Sequence, residues 1–189
     1  MAGKKVGVLA LQGDVSEHIR AFEEALGGAG AVVPVRSPAD LAGCDALAIP
    51  GGESTTISRL IDESGLREAI LSFEGGIFAT CAGMVLVATG ISDTRFAPLG
   101  LVDIAVDRNA FGRQRDSFEA DLPVKGLEAP FHAVFIRAPL AVRAGQGVEV
   151  LATVPQGIVA VRQGKHIVLS FHPELGGDLR LHRMFLAGL

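Results

Sequence analysis

The chain has 189 residues, a formal net charge of −4 at pH 7, 49% hydrophobic residues and two cysteines. Its length suits one domain with a substantial core, its acidic charge argues against a nucleic-acid partner, and its cysteines are too few for a disulfide framework or a zinc site. Because no signal-peptide pattern precedes the first apolar run, we expect a soluble, cytoplasmic protein.

The first half of the chain alternates short apolar runs with segments of helical periodicity. Continuous apolar runs are typical of strands buried on both faces of a parallel sheet, and intervening helices cover those faces. Strands are predicted at 6–11, 31–35, 45–49 and 77–80, and helices over 15–26, from 54 to 61 and from 84 to 88. Pro34 predicts that the second strand is irregular or lies at a sheet edge.

The second half adds strands at 102–106, 133–136, 148–154, 158–161 and 167–171, then a short helix over 179–186. The last two strands are predicted to form a hairpin. We therefore predict a single domain over residues 1–189 with an α/β fold: a three-layer, flavodoxin-like sheet, mostly parallel with helices on both faces and an antiparallel extension in the C-terminal half. Residues 75–92 carry no charge, but their strand–turn–helix pattern favours a buried core segment over a membrane span.

Three motifs follow the ends of predicted parallel strands, where ligands bind in sheets of this kind. They contain Gln12, Gly52 and Cys81, which we therefore expect to lie close together. Cys81 stands in a turn of small residues before a helix, and a helix N-terminus favours the thiolate. This arrangement predicts a nucleophile at the top of the sheet. Cys44 has no comparable setting and is interpreted as an inert, buried cysteine.

His172 and Glu174 follow the last predicted strand and are separated by a proline. In extended backbone both side chains point to one face, so the glutamate can orient the imidazole toward Cys81. Cysteine, histidine and glutamate form a candidate nucleophilic triad. The other histidines are interpreted as surface or packing residues: His18, His132, His166 and His182. No second histidine or cysteine stands at metal-ligand spacing from His172, so we expect no metal. We also expect no cofactor.

Two further groups of residues suit a reaction at Cys81. The backbone N–H groups of Gly52 and Ala82 could form an oxyanion hole, although the segment around Gly52 could equally be an ordinary strand-to-helix turn. Arg108 and Arg137 are suited to holding a substrate carboxylate in a fork. Composition alone leaves open that the segment around Arg108 is a solvated loop.

Five segments, in one order along the chain, carry a resemblance to a known family. They are residues 7–13 (GVLALQG), 50–56 (PGGESTT), 80–83 (TCAG), 108–119 (RNAFGRQRDSFE) and 171–175 (FHPEL). Together they closely resemble the glutaminase subunit of pyridoxal 5'-phosphate synthase, a triad-type (class I) glutamine amidotransferase. The second and fourth segments distinguish this family from other triad glutaminases, and the likeness spans nearly the whole chain.

The resemblance implies a glutaminase that converts L-glutamine to L-glutamate and ammonia and passes the ammonia to a synthase partner subunit for vitamin B6 biosynthesis. It implies a catalytic triad of Cys81, His172 and Glu174. It implies glutamine contacts from Gly52, Glu53, Ser54, Arg108, Ile136 and Arg137. It also implies that Gln12 and Gly13 belong to a loop near the oxyanion hole that responds to the partner.

The chain departs from the family pattern at Ala79, where glycine is usual, and in segments 72–76 and 90–98. Two alternatives to a glutaminase remain. One is a cysteine hydrolase or protease of the same fold, although such proteins often carry a histidine where this chain has Ala82. The other is a non-catalytic interaction module.

Overall fold

Ten strands form one mixed sheet in the computed structural model, which describes residues 3–93, 95–108, 111 and 117–189. The strands are β1 (Lys4–Leu9), β2 (Gly30–Val35), β3 (Ala46–Ile49), β4 (Gly76–Thr80), β5 (Ala88–Ile91), β6 (Val102–Asp107), β7 (Ser117–Leu122), β8 (Phe131–Ile136), β9 (Leu140–Ala144), β10 (Glu149–Val154), β11 (Gly157–Gln163) and β12 (His166–Leu169). The helices are α1 (Val15–Leu26), α2 (Pro38–Leu41), α3 (Ser54–Glu63), α4 (Leu66–Leu71), α5 (Ala82–Val87) and α6 (Arg180–Ala187). Strands β7 and β8 pair separately as an antiparallel ribbon.

The strand order of the large sheet is β2-β1-β3-β4-β12-β11-β9-β6-β5, with β10 paired to β11. From β2 to β12 all neighbours are parallel, and this order matches the doubly wound 2-1-3-4-5 arrangement when β12 is counted as the fifth strand. Beyond β12 the pairings of β11 and β9 are antiparallel. The predicted fold class is confirmed, including the antiparallel extension and the β11–β12 hairpin.

Strand β3 shows how the core is divided between the two faces of the sheet. All four of its residues are buried. Ala46 and Ala48 pack in a cluster with apolar residues of α1 and α6, whereas Leu47 and Ile49 pack in a cluster with residues of α3, α4 and α5. A strand buried on both faces carries no polar alternation, which is why its sequence is a continuous apolar run.

The sequence pattern located most elements but not all of their limits. Helix α1 has the predicted bounds, and β2 lies at the sheet edge as Pro34 indicates. The helix after Cys81 ends at Val87 rather than continuing through Ala88, because the carbonyls of residues 86–88 accept hydrogen bonds from residues 99–101 and the chain turns into β5. The short helices α2 and α4 and the strands β5, β7 and β9 were not predicted.

The uncharged stretch 75–92 is shared among β4, α5 and β5, and its central residues are buried in the core. This confirms its interpretation as a core segment. Within the described ranges, no helix combines the length and apolar character that crossing a membrane requires.

Candidate active site

A cavity of about 460 Å³ opens beyond the carboxyl ends of β3 and β4. The predicted nucleophile Cys81, the predicted base His172 and the backbone positions Gly52 and Ala82 line it. The predicted glutamine contacts line the same cavity: Gly52, Glu53, Ser54, Arg108, Ile136 and Arg137. Five separate parts of the chain therefore supply one site (52–54, 81–82, 108, 136–137 and 172), and the turns after β3 and β4 lie where ligands are expected in a parallel sheet.

The β1–α1 loop covers the turn that contains Gly52. The Gln12 side-chain oxygen accepts a hydrogen bond from the Glu53 backbone N–H at 2.9 Å, and the Asp14 N–H donates to the Gly51 carbonyl at 3.2 Å. Gly52 has φ +152°, and a Cβ there would lie 2.5 Å from the Gln12 oxygen. The close approach of this loop therefore depends on glycine, and the predicted clustering of Gln12, Gly52 and Cys81 is confirmed.

Cys81 lies in a strained turn between β4 and α5. Its backbone has φ 50° and ψ −108°, a combination that residues with a side chain rarely adopt. Gly83 makes room for the turn, because a Cβ there would lie 2.3 Å from the Ile49 carbonyl oxygen. The methyl group of Ala79 is buried beside Gly83, so this departure from the family pattern is accommodated in the core. The Cys81 thiol donates to the Ile136 carbonyl oxygen at 3.6 Å.

His172 and Glu174 lie beyond the end of β12, and both side chains are buried. His172 Nδ1 and Glu174 Oε1 are 2.7 Å apart. The backbone N–H of His172 donates to the Val134 carbonyl at 2.9 Å, which holds the histidine segment against β8. The glutamate thus contacts one imidazole nitrogen and leaves the other for the cavity, as the two-residue spacing predicts.

The environment of His172 favours its charged form. Burial alone would lower the pKa of the imidazole, but hydrogen bonds with Asp14, Cys81 and Glu174, together with the glutamate charge, raise it to about 12. The protonated ring is in hydrogen-bond contact with Cys81. It can also donate a proton to a leaving group.

Two residues at this site were not singled out by the sequence. Asp14 Oδ2 lies 3.3 Å from His172 Nδ1, so two carboxylates face the same nitrogen. His18 is fully buried, and its Nε2 lies 3.4 Å from Glu174 Oε2. His18 was interpreted as a surface or packing residue, and the structure instead brings it against the predicted triad. The signal was available in the four-residue spacing of Asp14 and His18, which places both on one helical face.

The remaining histidines have other surroundings. His132 is exposed and paired with Asp121 and Glu119, and His182 is buried among aromatic rings. His166 Nδ1 accepts a hydrogen bond from the Ile77 backbone N–H at 3.1 Å. These three fit the interpretation as surface or packing residues.

Charged groups form a network at the cavity mouth. Arg108 pairs with Glu53 and, at 2.9 Å, with Asp93. Arg95 also pairs with Asp93, and these arginines hold the pKa of Asp93 below its usual range. Partial burial opposes ionisation of Glu53, but hydrogen bonds from Thr55 and the charge of Arg108 lower its pKa. The network therefore presents fixed charges of both signs to a bound molecule.

Ser54 and Arg137 complete the cavity wall. The Ser54 hydroxyl is buried and has no hydrogen-bond partner in the part of the chain that is described. An unsatisfied buried hydroxyl facing a cavity is free to bind a polar ligand group. Arg137 has φ 45°, which turns the chain directly after Ile136, the residue whose carbonyl contacts the thiol. The rest of the arginine-rich motif, residues 109–110 and 112–116, lies outside the described residues.

Asp14, His172 and Glu174 also form the one group of possible metal ligands found in the described ranges, with ligand atoms within 4.8 Å of one another. A metal needs the neutral form of an imidazole. Hydrogen bonds with both carboxylates raise the pKa of His172, so the group also suits a hydrogen-bonded acid–base pair. The expectation of no metal and no cofactor stays a prediction.

Comparison with known proteins gives a consistent assignment. The family model described as "SNO glutamine amidotransferase family" matches residues 8–189. A protein of Methanosphaerula palustris named pyridoxal 5'-phosphate synthase subunit PdxT is 65% identical over 98% of this chain and 97% of its own length. A protein of the same name from Methanoculleus marisnigri is also 65% identical, over 99% and 98%. A crystal structure titled as a glutamine amidotransferase has a TM-score of 0.88 and 49% identity, covering 96% of this chain and 97% of the other.

Proposed function

The chain belongs to the SNO glutamine amidotransferase family, and from that premise we propose that it is the glutaminase subunit of a pyridoxal 5'-phosphate synthase with Cys81, His172 and Glu174 as its catalytic triad. The observation that carries the assignment of residues is the 2.7 Å contact of His172 with Glu174 in the cavity that Cys81 lines. The proposed substrate is L-glutamine. The proposed products are L-glutamate and ammonia.

In the first half of the reaction, the Cys81 thiolate attacks the side-chain amide carbon of glutamine. The backbone N–H groups of Gly52 and Ala82 donate to the oxygen that becomes negative. The tetrahedral intermediate then breaks its carbon–nitrogen bond, and protonated His172 supplies the proton with which ammonia departs. A glutamyl thioester on Cys81 remains. Loss of one oxyanion donor in such a site costs on the order of 10²–10³ in rate.

In the second half, neutral His172 removes a proton from water as that water attacks the thioester. The carbon–sulfur bond breaks, glutamate leaves and the Cys81–His172 pair is restored. Glu174 keeps the imidazole oriented through both halves and stabilises its charged form.

The cavity suits the two charged groups of the glutamine backbone. We propose that Arg108 and Arg137 bind the α-carboxylate and that Glu53 and Ser54 contact the polar groups beside it. Both Arg108 and Glu53 line the cavity and are already held in position by the charge network. Ile136 contributes its backbone at the thiol.

The partner in this proposal is the synthase subunit, with no role for nucleic acid or membrane. Ammonia is protonated in bulk water and then ceases to be a nucleophile, so direct transfer to a docked partner preserves it. Gln12 and Gly13 would report partner binding to the site, because Gln12 holds the Glu53 backbone. We also propose a cytoplasmic location, because free thiols such as those of Cys44 and Cys81 suit a reducing compartment.

Glutamate release, measured with and without the cognate synthase subunit, tests the proposal. We expect weak release by the chain alone and a large increase with the synthase. Asparagine and an unstructured peptide serve as control substrates and should not be hydrolysed. Peptide cleavage without glutamine hydrolysis would favour the cysteine protease, and no hydrolysis of any substrate with the synthase present would favour the interaction module.

A further inference from the structure

The first turn of α1 contacts both the base and the acid of the proposed triad. Asp14 precedes this helix and His18 lies one turn later, linked by the hydrogen bond from the His18 N–H to the Asp14 carbonyl at 3.2 Å. Asp14 reaches His172, and His18 reaches Glu174. Of Asp14 and His18, His18 is the more deeply buried.

His18 joins the proposed acid to the strand that carries the proposed nucleophile. Its Nε2 lies 2.9 Å from the Thr80 hydroxyl oxygen and 3.4 Å from Glu174 Oε2. Thr80 ends β4 and immediately precedes Cys81. The side chains of His18 and Glu174 are both fully buried, so water does not compete for these contacts. Cys81 contacts His172, and His172 contacts Glu174. Glu174 in turn lies beside His18, which contacts Thr80, the residue before Cys81.

The second carboxylate oxygen of Glu174, Oε2, lies beside the ring of His18. Its first oxygen, Oε1, is used by His172. Across the described residues, Oε2 is buried and makes no hydrogen bond, and His18 Nε2 lies 3.4 Å from it. A buried carboxylate oxygen without a nearby donor is costly. The polar Nε2 edge of the His18 ring, which is hydrogen-bonded to the Thr80 hydroxyl at 2.9 Å, is therefore the group that favours this orientation of the carboxylate by its nearness to Oε2.

His18 meets this need as a neutral donor. Burial lowers the pKa of His18, and the charge of Glu174 only partly opposes that effect. A neutral imidazole with its hydrogen on Nε2 donates to the Thr80 hydroxyl, brings the positive end of the same N–H dipole near Glu174 Oε2, and leaves the carboxylate charge available to His172. A cation there would instead compete with His172 for the same charge.

We propose that His18 is a positioning residue that holds Glu174 in the orientation in which it supports His172, and so acts on the reaction through the acid of the triad. This inference rests on the proposed function. His18 would be a fourth residue behind the proposed triad, and it would contact neither the substrate nor Cys81.

His182 provides a matched control. It is a second fully buried histidine, and its ring centre lies 6.4 Å from that of His18. It packs among the rings of Phe22 and Phe78, and neither of its ring nitrogens has a hydrogen-bond partner in the described part of the chain. Replacing it perturbs the same region of the core without removing a contact to Glu174.

The test compares His18→Leu, His18→Gln and His182→Leu in the complex with the synthase subunit, by kcat and KM for glutamine and by melting temperature. His18→Leu should lower kcat about 10-fold, because the buried carboxylate loses the polar N–H beside it and no longer holds one orientation, with KM within about twofold. Glutamine places an amide N–H near the position of Nε2, so His18→Gln should recover most of kcat. His182→Leu should lower the melting temperature but keep kcat within about twofold. Unchanged kcat in His18→Leu, or equal losses of kcat in both leucine variants, would overturn the proposal.

A second comparison uses only polar replacements, for the case in which His18→Leu does not fold. Asparagine places its amide near the position of Nδ1 rather than Nε2, so His18→Asn should be less active than His18→Gln. Equal kcat values in these two variants would refute the role of Nε2. Wild-type complex without glutaminase activity would instead refute the proposed function itself, so the two failures are distinguishable.

Discussion

The two ends of the central parallel strands each carry a cavity and a cysteine, but among the described residues only one end places a histidine in the same cavity as its cysteine. At the carboxyl end, Cys81 shares a cavity of about 460 Å³ with His172. At the amino end, Cys44 shares a cavity of about 320 Å³ with lysines and carboxylates, and no histidine is among the described residues that line it. Burial raises the pKa of the Cys44 thiol, which donates to the Asp40 carbonyl at 3.4 Å.

The difference follows from the direction of the strands. At the carboxyl ends the chain turns from strand to helix, so backbone N–H groups and side chains on the turns face one cavity. At the amino ends the chain enters the strands, and the described residues around the Cys44 cavity include no histidine that could act as a base. The same residue type is therefore a candidate nucleophile at one end and a packed thiol at the other.

The largest expected effect separates the two cysteines directly. Cys81→Ser should lower kcat for glutamine at least about 1,000-fold, because the serine hydroxyl is a far weaker nucleophile than a thiolate. The measurement is glutamate release by the complex with the synthase, and circular dichroism should show an unchanged fold. Near-native turnover in this variant would remove Cys81 from the mechanism.

Replacing one carboxylate at each end of the parallel strands should also lower kcat by unequal amounts. Glu174→Gln removes the charge that supports protonated His172, and we expect kcat to fall by about 100-fold or more. Glu74→Gln changes a carboxylate that lines the amino-end cavity, and kcat should stay within about twofold. Similar losses in both variants would mean that Glu174 acts through general stability rather than through His172.

His166 begins strand β12 and His172 lies three residues beyond its end, and the pKa values of these two histidines are shifted in opposite directions. The folded-state pKa of His172 is raised to about 12, so its contribution to stability is full below the unfolded value near 6.5 and declines as pH rises toward 12. Between pH 7 and 9.5 we expect wild type to lose about 1 kcal/mol per pH unit more unfolding free energy than His172→Gln. Parallel losses in urea titrations of the two proteins would contradict the raised pKa.

His166, at the amino end of β12, should affect the pH dependence of the unfolding free energy in the opposite direction and by less. Burial lowers its pKa, with a further contribution from Lys165, so its contribution to stability is present above about pH 6.5 and is lost as pH falls below that value. Protonation of Nδ1 would also break the hydrogen bond from Ile77. The variant His166→Asn keeps an acceptor but does not titrate, so its unfolding free energy should fall less than that of wild type between pH 7 and 5. An equal fall would contradict the assignment.

The smallest expected effect is at Cys44. Its thiol is half-buried and hydrogen-bonded to a backbone carbonyl, and Cys44→Ser keeps a donor of similar size. Glutamate release by this variant should stay within about twofold of wild type. A loss comparable to that of Cys81→Ser would erase the distinction between the two ends of the sheet.

Sequence reasoning located the parts of the site that are local and missed those that are not. The two-residue spacing of His172 and Glu174 and the strand–turn–helix around Cys81 are readable because neighbours in sequence decide them. The contact of His18 with Glu174 joins residues 156 positions apart, so the four-residue spacing of Asp14 and His18 indicates a shared helical face but not which residue that face contacts. The end of α5 was missed for the same reason, since residues 99–101 supply the hydrogen bonds that stop it.

The predicted glutamine contacts came from the family resemblance rather than from the local sequence pattern. Composition left the segment around Arg108 open as a solvated loop, and only the family resemblance made it a candidate for binding. The structure places Arg108 at the cavity, held by Glu53 and Asp93. The pairing of Glu53 with Arg108 could not be predicted from the position of Glu53 before α3, because Arg108 lies 55 residues further along the chain.

Covalent labelling with the glutamine analogue 6-diazo-5-oxo-L-norleucine tests the central claim most directly. The complex with the synthase is incubated with the reagent, and the modified residue is mapped by mass spectrometry of peptides. We expect one label per chain on Cys81, none on Cys44, and protection by excess glutamine. Labelling of Cys44 instead, or no labelling of Cys81 with the synthase present, would contradict the account.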